Sequence, residues 1–210
     1  MIARDRRRSL LQQLEVARSR GMLGPGPVEA HLEHAAQMAD AIGPDFSGHF
    51  LDLGSGGGVP GLVLLEVWPL ATGFLLDARR RRCRFLEGAL RELDLLDRAS
   101  VGWGRAEELA RDRRLRGTFD LVVARGFGGP ATTAECAVGF LVPDGRLAVS
   151  EPPEAGNRDR WPVEGVAALG LSGPSRYRGP GAGVAILERA GVVSDRWPRR
   201  TGVPARQPLW

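Results

Sequence analysis

The 210-residue sequence predicts an α/β fold: a doubly wound, mostly parallel sheet preceded by helices. Three observations carry that expectation. Between about residues 50 and 150, short apolar runs alternate with segments of helical period, so consecutive strands need crossover connections and run parallel, with helices on both faces. Two amphipathic helical stretches come before the first strand. A glycine-rich segment, LDLGSGGGVPG, follows that strand directly, at the carboxyl edge where such sheets bind ligands.

Residues 9–19 set Leu10, Leu11, Leu14 and Ala17 on one helical face, and GMLGPGP ends that helix. A second helix runs from about Val28 to Ile42 and stops at GPDFSG. Phe50–Leu53 is a buried strand, Pro60–Trp68 a helix and Thr72–Leu76 a strand. Arg79–Leu96 is a long helix with Phe85, Leu86, Ala89, Leu90 and Leu93 inward. Ser100–Gly104 reads as a third strand, Glu107–Asp112 as a short helix, and FDLVVAR, Phe119–Arg125, as a fourth strand. Ala131–Leu141 is helical, and a turn at Pro143–Gly145 leads into a strand over Arg146–Ser150. The stretch Pro152–Pro180 is rich in Gly and Pro and carries only a helix near Val163–Leu169, before a last strand at Gly183–Leu187. The chain thus divides into a helical extension (1–45), a ligand-binding domain (46–190) and a basic tail (191–210).

Hydrophobic content of 43% and charged content of 26% are those of a soluble globular protein, which excludes wholesale disorder. The sequence contains no lysine, so every fixed cation is an arginine. Residues 1–20 carry six arginines against Asp5 and Glu15, a net +4, and residues 191–210 carry four against Asp195, a net +3. With +4 overall, the middle sums to about −3. Basic ends fit a polyanionic partner such as nucleic acid, with solvated tails as the competing reading. Cys83 and Cys136 lie far apart without metal-ligand spacing, so neither a disulfide framework nor a zinc site is expected, and a reducing cytoplasm fits. The arginine-rich start runs into LLQQLEVARSR and so does not read as a signal peptide, and Glu66 and Pro69 interrupt the best apolar stretch, so no membrane span is expected. His31 and His34 are spaced for one helical face, but a metal pair there is not expected.

Gly54, Gly56 and Gly58 remove side chains where a ligand can lie on the backbone, and Pro60 suits the first turn of the following helix. Gly56, Gly58 and Gly61 satisfy the dinucleotide fingerprint G-x-G-x-x-G. Asp52, Gly54, Gly56 and Gly58 also satisfy acidic-x-Gly-x-Gly-x-Gly, which resembles motif I of S-adenosylmethionine-dependent methyltransferases. Asp77 ends the next strand, where either cofactor class needs a carboxylate for ribose hydroxyls. These features leave an NAD-dependent oxidoreductase and a methyltransferase both open.

The remaining motifs carry a resemblance. LDLGSGGGVPG, LLDARRRRCRFLEG, GRAEEL (Gly104–Leu109), VVARGF and the carboxyl-terminal RWPRRTGVPARQPL, in that order, resemble the small-subunit ribosomal RNA guanine-N7 methyltransferase family, also called glucose-inhibited division protein B. The resemblance implies a class I S-adenosylmethionine-dependent methyltransferase sheet (Rossmann-like) in the domain 46–190, with S-adenosyl-L-methionine as cofactor. It further implies ribosomal RNA or the small ribosomal subunit as partner, rRNA processing in the cytoplasm, no metal, no membrane and a monomer. Gly54, Ser55, Gly56, Gly58 and Val59 would then line the methionine and ribose side of the cofactor, Asp77 would hold the ribose, and Ala106 and Glu107 would line the adenine. Arg125 would position cofactor and substrate at the end of the fourth strand, as the one residue assigned to catalysis. No general base is expected, because guanine N7 already bears a free lone pair; alignment and desolvation are the work left to the protein.

Two departures qualify the substrate. The family pattern Arg-His-x-x-Asp-Ser before motif I is here AHLEHAAQ, retaining only His31, and a Lys-Gly after the fifth strand is here SEPPE, Ser150–Glu154. A methyltransferase of the same fold acting on another substrate, and a non-catalytic protein binding S-adenosylmethionine and RNA, are the alternatives. Arg4, Arg6, Arg7, Arg8, Arg199 and Arg200 are the expected grip on RNA phosphates; the run Arg79–Arg82 with Arg84 reads as phosphate contacts or a solvated helix face.

Overall fold

The computed structural model describes residues 2–152, 159–179 and 183–210. Helices α1 (Arg4–Ser19) and α2 (Val28–Ile42) precede β1 (His49–Leu53), α3 (Gly61–Val67), β2 (Thr72–Asp77), α4 (Arg80–Glu92) and β3 (Ala99–Trp103). Then come α5 (Ala106–Leu109), β4 (Phe119–Ala124), α6 (Pro130–Val138), β5 (Leu141–Glu151), α7 (Val163–Ala168), β6 (Leu171–Arg178), β7 (Gly183–Arg189) and α8 (Val203–Arg206). The seven strands form one sheet in the order β3-β2-β1-β4-β5-β7-β6. The pairs from β3 to β5 are parallel, and β7 runs antiparallel between β5 and β6. The expected doubly wound, mostly parallel α/β sheet is therefore present. Connections leave β1 toward β2 on one side and arrive at β4 on the other, so the carboxyl ends of β1 and β4 flank the crevice where such sheets bind ligands.

Strand residues alternate between two core layers. Phe50, Leu121, Val123, Ala148 and Ile186 face a cluster with Leu10, Leu14, Leu32, Met38, Trp68 and Leu86. Leu51, Leu53, Val122, Leu147 and Leu187 face the other, with Ala134, Phe140, Trp161, Val166 and Trp197. The two amino-terminal helices thus close the first layer, and the segment containing Trp197 closes the second.

Four local differences from the sequence reading have physical reasons. Helix α1 starts at Arg4 rather than near residue 9, because its first turns are anchored by charge: Arg6 forks onto Glu66 of α3 at 3.0 and 2.7 Å. Apolar periodicity sees only Leu10, Leu14 and Ala17. Helix α4 ends at Glu92, short of Leu96, where Asp94 takes φ 52° and Leu95 N–H returns to Leu90 C=O at 2.8 Å. The turn at Pro143–Gly145 is an outward excursion within β5, since Leu141 pairs with Phe119 and Arg146 with Leu121. Strand β6 lies in the stretch that shows no strand pattern: it is an edge strand, largely exposed, and its register breaks between Ser172 and Ser175 around Gly173-Pro174. Part of that stretch, 153–158 and Pro180, lies outside the described residues.

The basic ends also differ from the expected RNA grip at two positions. Arg6 is engaged by Glu66, and Arg199 by Glu135, which is fully buried and accepts from the Arg199 backbone N–H, Nε and Nη2 at 2.8, 2.8 and 2.6 Å. Arg4, Arg7, Arg8 and Arg200 remain exposed. Arg199→Ala leaves a buried carboxylate without its cation and is expected to lower unfolding free energy by about 3–5 kcal/mol in urea titrations. Adding Glu135→Leu should recover most of that loss; a single variant within about 1 kcal/mol of wild type would show that water replaces the guanidinium freely.

Candidate functional site

Beyond β1 the chain turns sharply across the end of β2: Gly54 and Ser55 both donate their N–H to Leu76 C=O at 2.9 Å, and Ser55 Oγ caps Asp52 C=O at 3.0 Å. Gly54 and Gly56 hold φ of 79° and 55°, which favour glycine, and Gly56 N–H donates to Asp77 Oδ2 at 2.9 Å. The other oxygen of Asp77 accepts Arg79 N–H at 2.8 Å, and Arg82 Nη1 stands 3.4 Å from Oδ2. Asp77 is buried on the wall of the smaller of two cavities that share Gly54.

The larger cavity, about 490 Å³, is walled by the α1–α2 connection Gly21–Pro25, by Gly54, Ser55, Gly56 and Val59, and by His31, Arg82 and Arg125. The smaller, about 130 Å³, is bounded by Asp77, Ala106, Glu107, Phe127, Cys136 and Ala205. Together they fit an elongated cofactor with a charged amino-acid end, a ribose near Asp77 and a flat apolar base in the smaller chamber. A Cβ at Gly54 would sit 2.8 Å from the Phe127 ring, so the shared wall has room only for glycine. Of the predicted cofactor residues, Gly54, Ser55, Gly56, Val59 and Arg125 line the first cavity, and Gly54, Asp77, Ala106 and Glu107 the second. Gly58 lines neither; its Cα faces Leu62 and Leu86 in the core.

Glu107 is held from two sides: Oε1 accepts Gly202 N–H at 2.9 Å and Arg105 Nη2 at 3.0 Å. Burial pushes its carboxyl up, but these hydrogen bonds, Gly202 N–H foremost, outweigh burial and set it below the ordinary range. The carboxyl-terminal segment therefore forms one wall of the smaller cavity, through Ala205 and the Gly202 contact.

The residue motif reading missed is His31. Arg125 Nη2 donates to His31 Nδ1 at 2.6 Å, and since a guanidinium only donates, the imidazole proton sits on Nε2 and points to Gly24 C=O at 3.2 Å. Burial and then Arg125 lower the His31 pKa, in keeping with a neutral ring. His34, one turn on, meets Ser150 Oγ at 3.0 Å, and burial followed by the Arg125 charge lowers its pKa to about 4. The only signal for either role was the retention of His31 from the family pattern. His34 occupies the place of that pattern's Asp, and Ser150 opens the segment standing for Lys-Gly, so the two departures touch each other.

The sequence and the fold have counterparts among known proteins. A family model described as rRNA small subunit methyltransferase G matches residues 27–150. A ribosomal RNA small subunit methyltransferase G of Moorella thermoacetica is 30% identical over 165 residues, covering 76% of this chain and 68% of that protein. One of Parasynechococcus marenigrum is 37% identical over 165 residues, covering 76% and 66%, so the chain spans about two thirds of the length of these relatives. Among solved structures, an O-methyltransferase from Bacillus cereus in complex with SAH superposes with a TM-score of 0.59 at 17% identity, covering 89% of this chain and 90% of that one. A putative methyltransferase from Escherichia coli does so with 0.58 at 16%, covering 76% and 88%. At that identity the superpositions speak for the fold alone. Among the described residues no helix is long and apolar enough to cross a membrane.

One carboxyl next to the site titrates far from its ordinary range. Asp52 is buried beneath the glycine turn, its Oδ2 accepting Gly61 N–H at 3.0 Å, and burial raises its pKa from 3.8 to about 7 against the opposing pull of its hydrogen bonds and Arg125. A folded-state pKa above the unfolded one means the native state binds the extra proton, so stability present below pH 3.8 declines as pH rises toward about 7 and is level above it. Asp52→Asn keeps an oxygen for Gly61 but cannot ionise. The variant's unfolding free energy minus that of wild type is expected to rise across that window, as wild type alone loses stability, and then plateau; parallel curves in urea titrations at stepped pH would show that Asp52 ionises normally.

Proposed function

The chain belongs to the rRNA small subunit methyltransferase G family, and from that premise we propose that it is an S-adenosylmethionine-dependent methyltransferase acting on guanine N7 of small-subunit ribosomal RNA. The observation that carries this reading is the pair of cavities that share Gly54, with Asp77 on the wall of the smaller and Arg125 on the wall of the larger. When bound, the cofactor supplies a methyl group activated by its sulfonium. Asp77 keeps a lone pair on Oδ1 for a ribose hydroxyl, Ala106 and Glu107 border the adenine chamber, and the backbone of Gly54–Gly56 lies against the amino-acid end.

Arg125 and His31 do the remaining work without moving a proton. N7 is already a nucleophile, and His31, with its pKa lowered and its Nδ1 occupied by Arg125, is a positioning group rather than a base. Arg125 is a fixed donor between the cofactor cavity and the approach to it, placed to orient a base carbonyl while N7 stays free. The contact of His34 with Ser150 supports the family substrate despite the two departures: a neutral hydrogen bond still joins α2 to the end of β5. This reading uses no metal ion and one copy of the chain, and a ribosomal RNA substrate places its work in the cytoplasm.

Labelled methyl transfer to small-subunit RNA from a strain lacking this activity should yield 7-methylguanine on digestion. Label on another atom, or none with cofactor bound, would remove the assignment. Asp77→Ala should weaken S-adenosylmethionine by about 1.5–3 kcal/mol in calorimetry, the size of hydrogen bonds to a charged acceptor. Unchanged affinity would place the ribose elsewhere.

A further inference from the structure

A third cavity, about 430 Å³, lies on the far side of Arg125 from the glycine turn, between the carboxyl ends of β4 and β5. It is of the size that holds small ligands, which occupy roughly 300–1,000 Å³. Arg125 borders both it and the larger cofactor cavity. Its sides include His34, Phe127, Thr133 and Ser150, and Glu151, the last residue of β5, closes one end.

Glu151 is unusual for a carboxylate at such a place. It is 7% exposed, and one oxygen is saturated: Oε1 accepts Trp161 Nε1–H at 2.7 Å and Arg160 Nε–H at 3.1 Å. Oε2 takes no hydrogen bond from a described residue; Arg176 forms an ion pair with it, Nε standing 3.9 Å away, too far for a hydrogen bond. A nearly buried carboxylate with spare lone pairs on one oxygen, held in orientation by a tryptophan and bordering the cavity, can receive donors from something bound there.

We propose that this cavity receives the target guanine and that Glu151 is the residue that reads its Watson–Crick edge. The inference rests on the methyltransferase reading above. Guanine carries two adjacent donors, N1–H and the 2-amino group, on the edge opposite its N7. Directed at Glu151, that edge turns N7 back toward Arg125 and the cofactor cavity, with O6 beside N7 within the reach of the guanidinium. Adenine presents a lone pair at N1 in place of the donor, and cytosine one at N3, so each meets the carboxylate with repulsion instead of a hydrogen bond. The choice of base and the orientation of the reacting atom then follow from one side chain. The Phe127 ring offers an apolar surface for the base, as apolar and aromatic side chains do in pockets for extruded nucleotides.

The same carboxylate favours the reaction. The N7–carbon bond forms as the carbon–sulfur bond breaks, the positive charge passes from sulfur to the purine, and no proton is transferred. A purine gaining positive charge makes its N1–H a stronger donor, so the bond to Glu151 tightens in the transition state relative to the ground state. Glu151 touches the substrate in this arrangement and serves in both selection and rate.

The test uses the nucleotide mapped by the methyl-transfer experiment, placed in a short RNA as guanosine or as inosine, which keeps N7, O6 and N1–H but lacks the 2-amino group. Wild type is expected to lose roughly ten- to a hundred-fold in kcat/KM on the inosine RNA, the equivalent of one hydrogen bond to a charged acceptor. The affinity of the cofactor-free protein for the two RNAs should differ in the same sense. Glu151→Gln, which keeps an oxygen for Trp161, should slow transfer to guanosine and bring the guanosine-to-inosine ratio toward one, with S-adenosylmethionine affinity unchanged. Equal use of both RNAs by wild type, a comparison that needs no variant, would overturn the proposal, as would a Gln variant that keeps the full ratio. Transfer to neither RNA removes the methyltransferase reading and the proposal with it, a signature distinct from transfer without discrimination.

Discussion

Arg125 leaves the end of β4 between two cavities, and its half-buried charge constrains His31, His34 and Asp52 around it. Burial lowers its own pKa, with Asp52 opposing, while Asp52, deeper still, is pushed up to about 7. His31 can approach at 2.6 Å only as a neutral acceptor, which commits its other nitrogen to Gly24 C=O. That second bond fixes the connection Gly21–Pro25, which walls the larger cavity. The amino-terminal helices are thereby joined to the end of β4 through the His31 imidazole, as His34 joins them to the end of β5. Their apolar faces supply the packing, and the Arg125–His31–Gly24 chain supplies the register.

The absence of lysine acquires a structural meaning in the folded chain. Arg98 forks onto three backbone carbonyls, Trp68 and Ala71 through Nη1 and Leu65 through Nη2, at 3.1, 2.8 and 2.8 Å, at and just beyond the carboxyl end of α3. Arg116 bonds Ala110 and Trp197 carbonyls at 3.1 and 3.0 Å, and Arg146 reaches Ile42 at 3.0 Å. A planar guanidinium can satisfy two or three carbonyls in a fixed fork, which an ammonium on a flexible stem does less well. Formal charge therefore overstates what is available to a polyanion, since Arg6 and Arg199 are spent on Glu66 and Glu135 inside the protein.

What the sequence made legible follows the strength of local signals. The strands β1, β2 and β4 are short, mostly apolar runs, and α2 is bounded by Pro27 and Gly43, so both kinds of element were read nearly to the residue. Strand β6 was invisible because an edge strand broken at Gly173-Pro174 has no buried face to print an alternation. The first turns of α1 were missed because Arg6 is held by a partner 60 residues away, which no local period reports. His31 was legible as a retained motif residue but not as the partner of Arg125, 94 residues on. The residues 191–210 read as a basic tail, without a place in the core, for the same reason: Trp197 packs into the core and Gly202 meets Glu107, contacts carried by single residues rather than a periodic face.

The glycine turn shows most clearly how a motif divides its labour. Read as a string, its glycines fit a dinucleotide and a methyltransferase pattern equally, because both patterns count glycines without asking what each one meets. In the fold, a Cβ on Gly61 would lie 2.4 Å from Leu75 and 2.5 Å from Asp52 Oδ2, one on Gly58 2.4 Å from Leu62, and one on Gly57 2.6 Å from Leu23. Those three are small because the protein itself comes close. Gly54 and Gly56 alone combine a left-handed backbone with a place on the cavity wall, and the amide of Gly56 is already aimed at Asp77. The loop is thus held in shape by core packing on one side and by the Asp77 carboxylate on the other. A ligand that reaches Asp77 meets a preformed turn and need not order one, which is where such a site gains affinity.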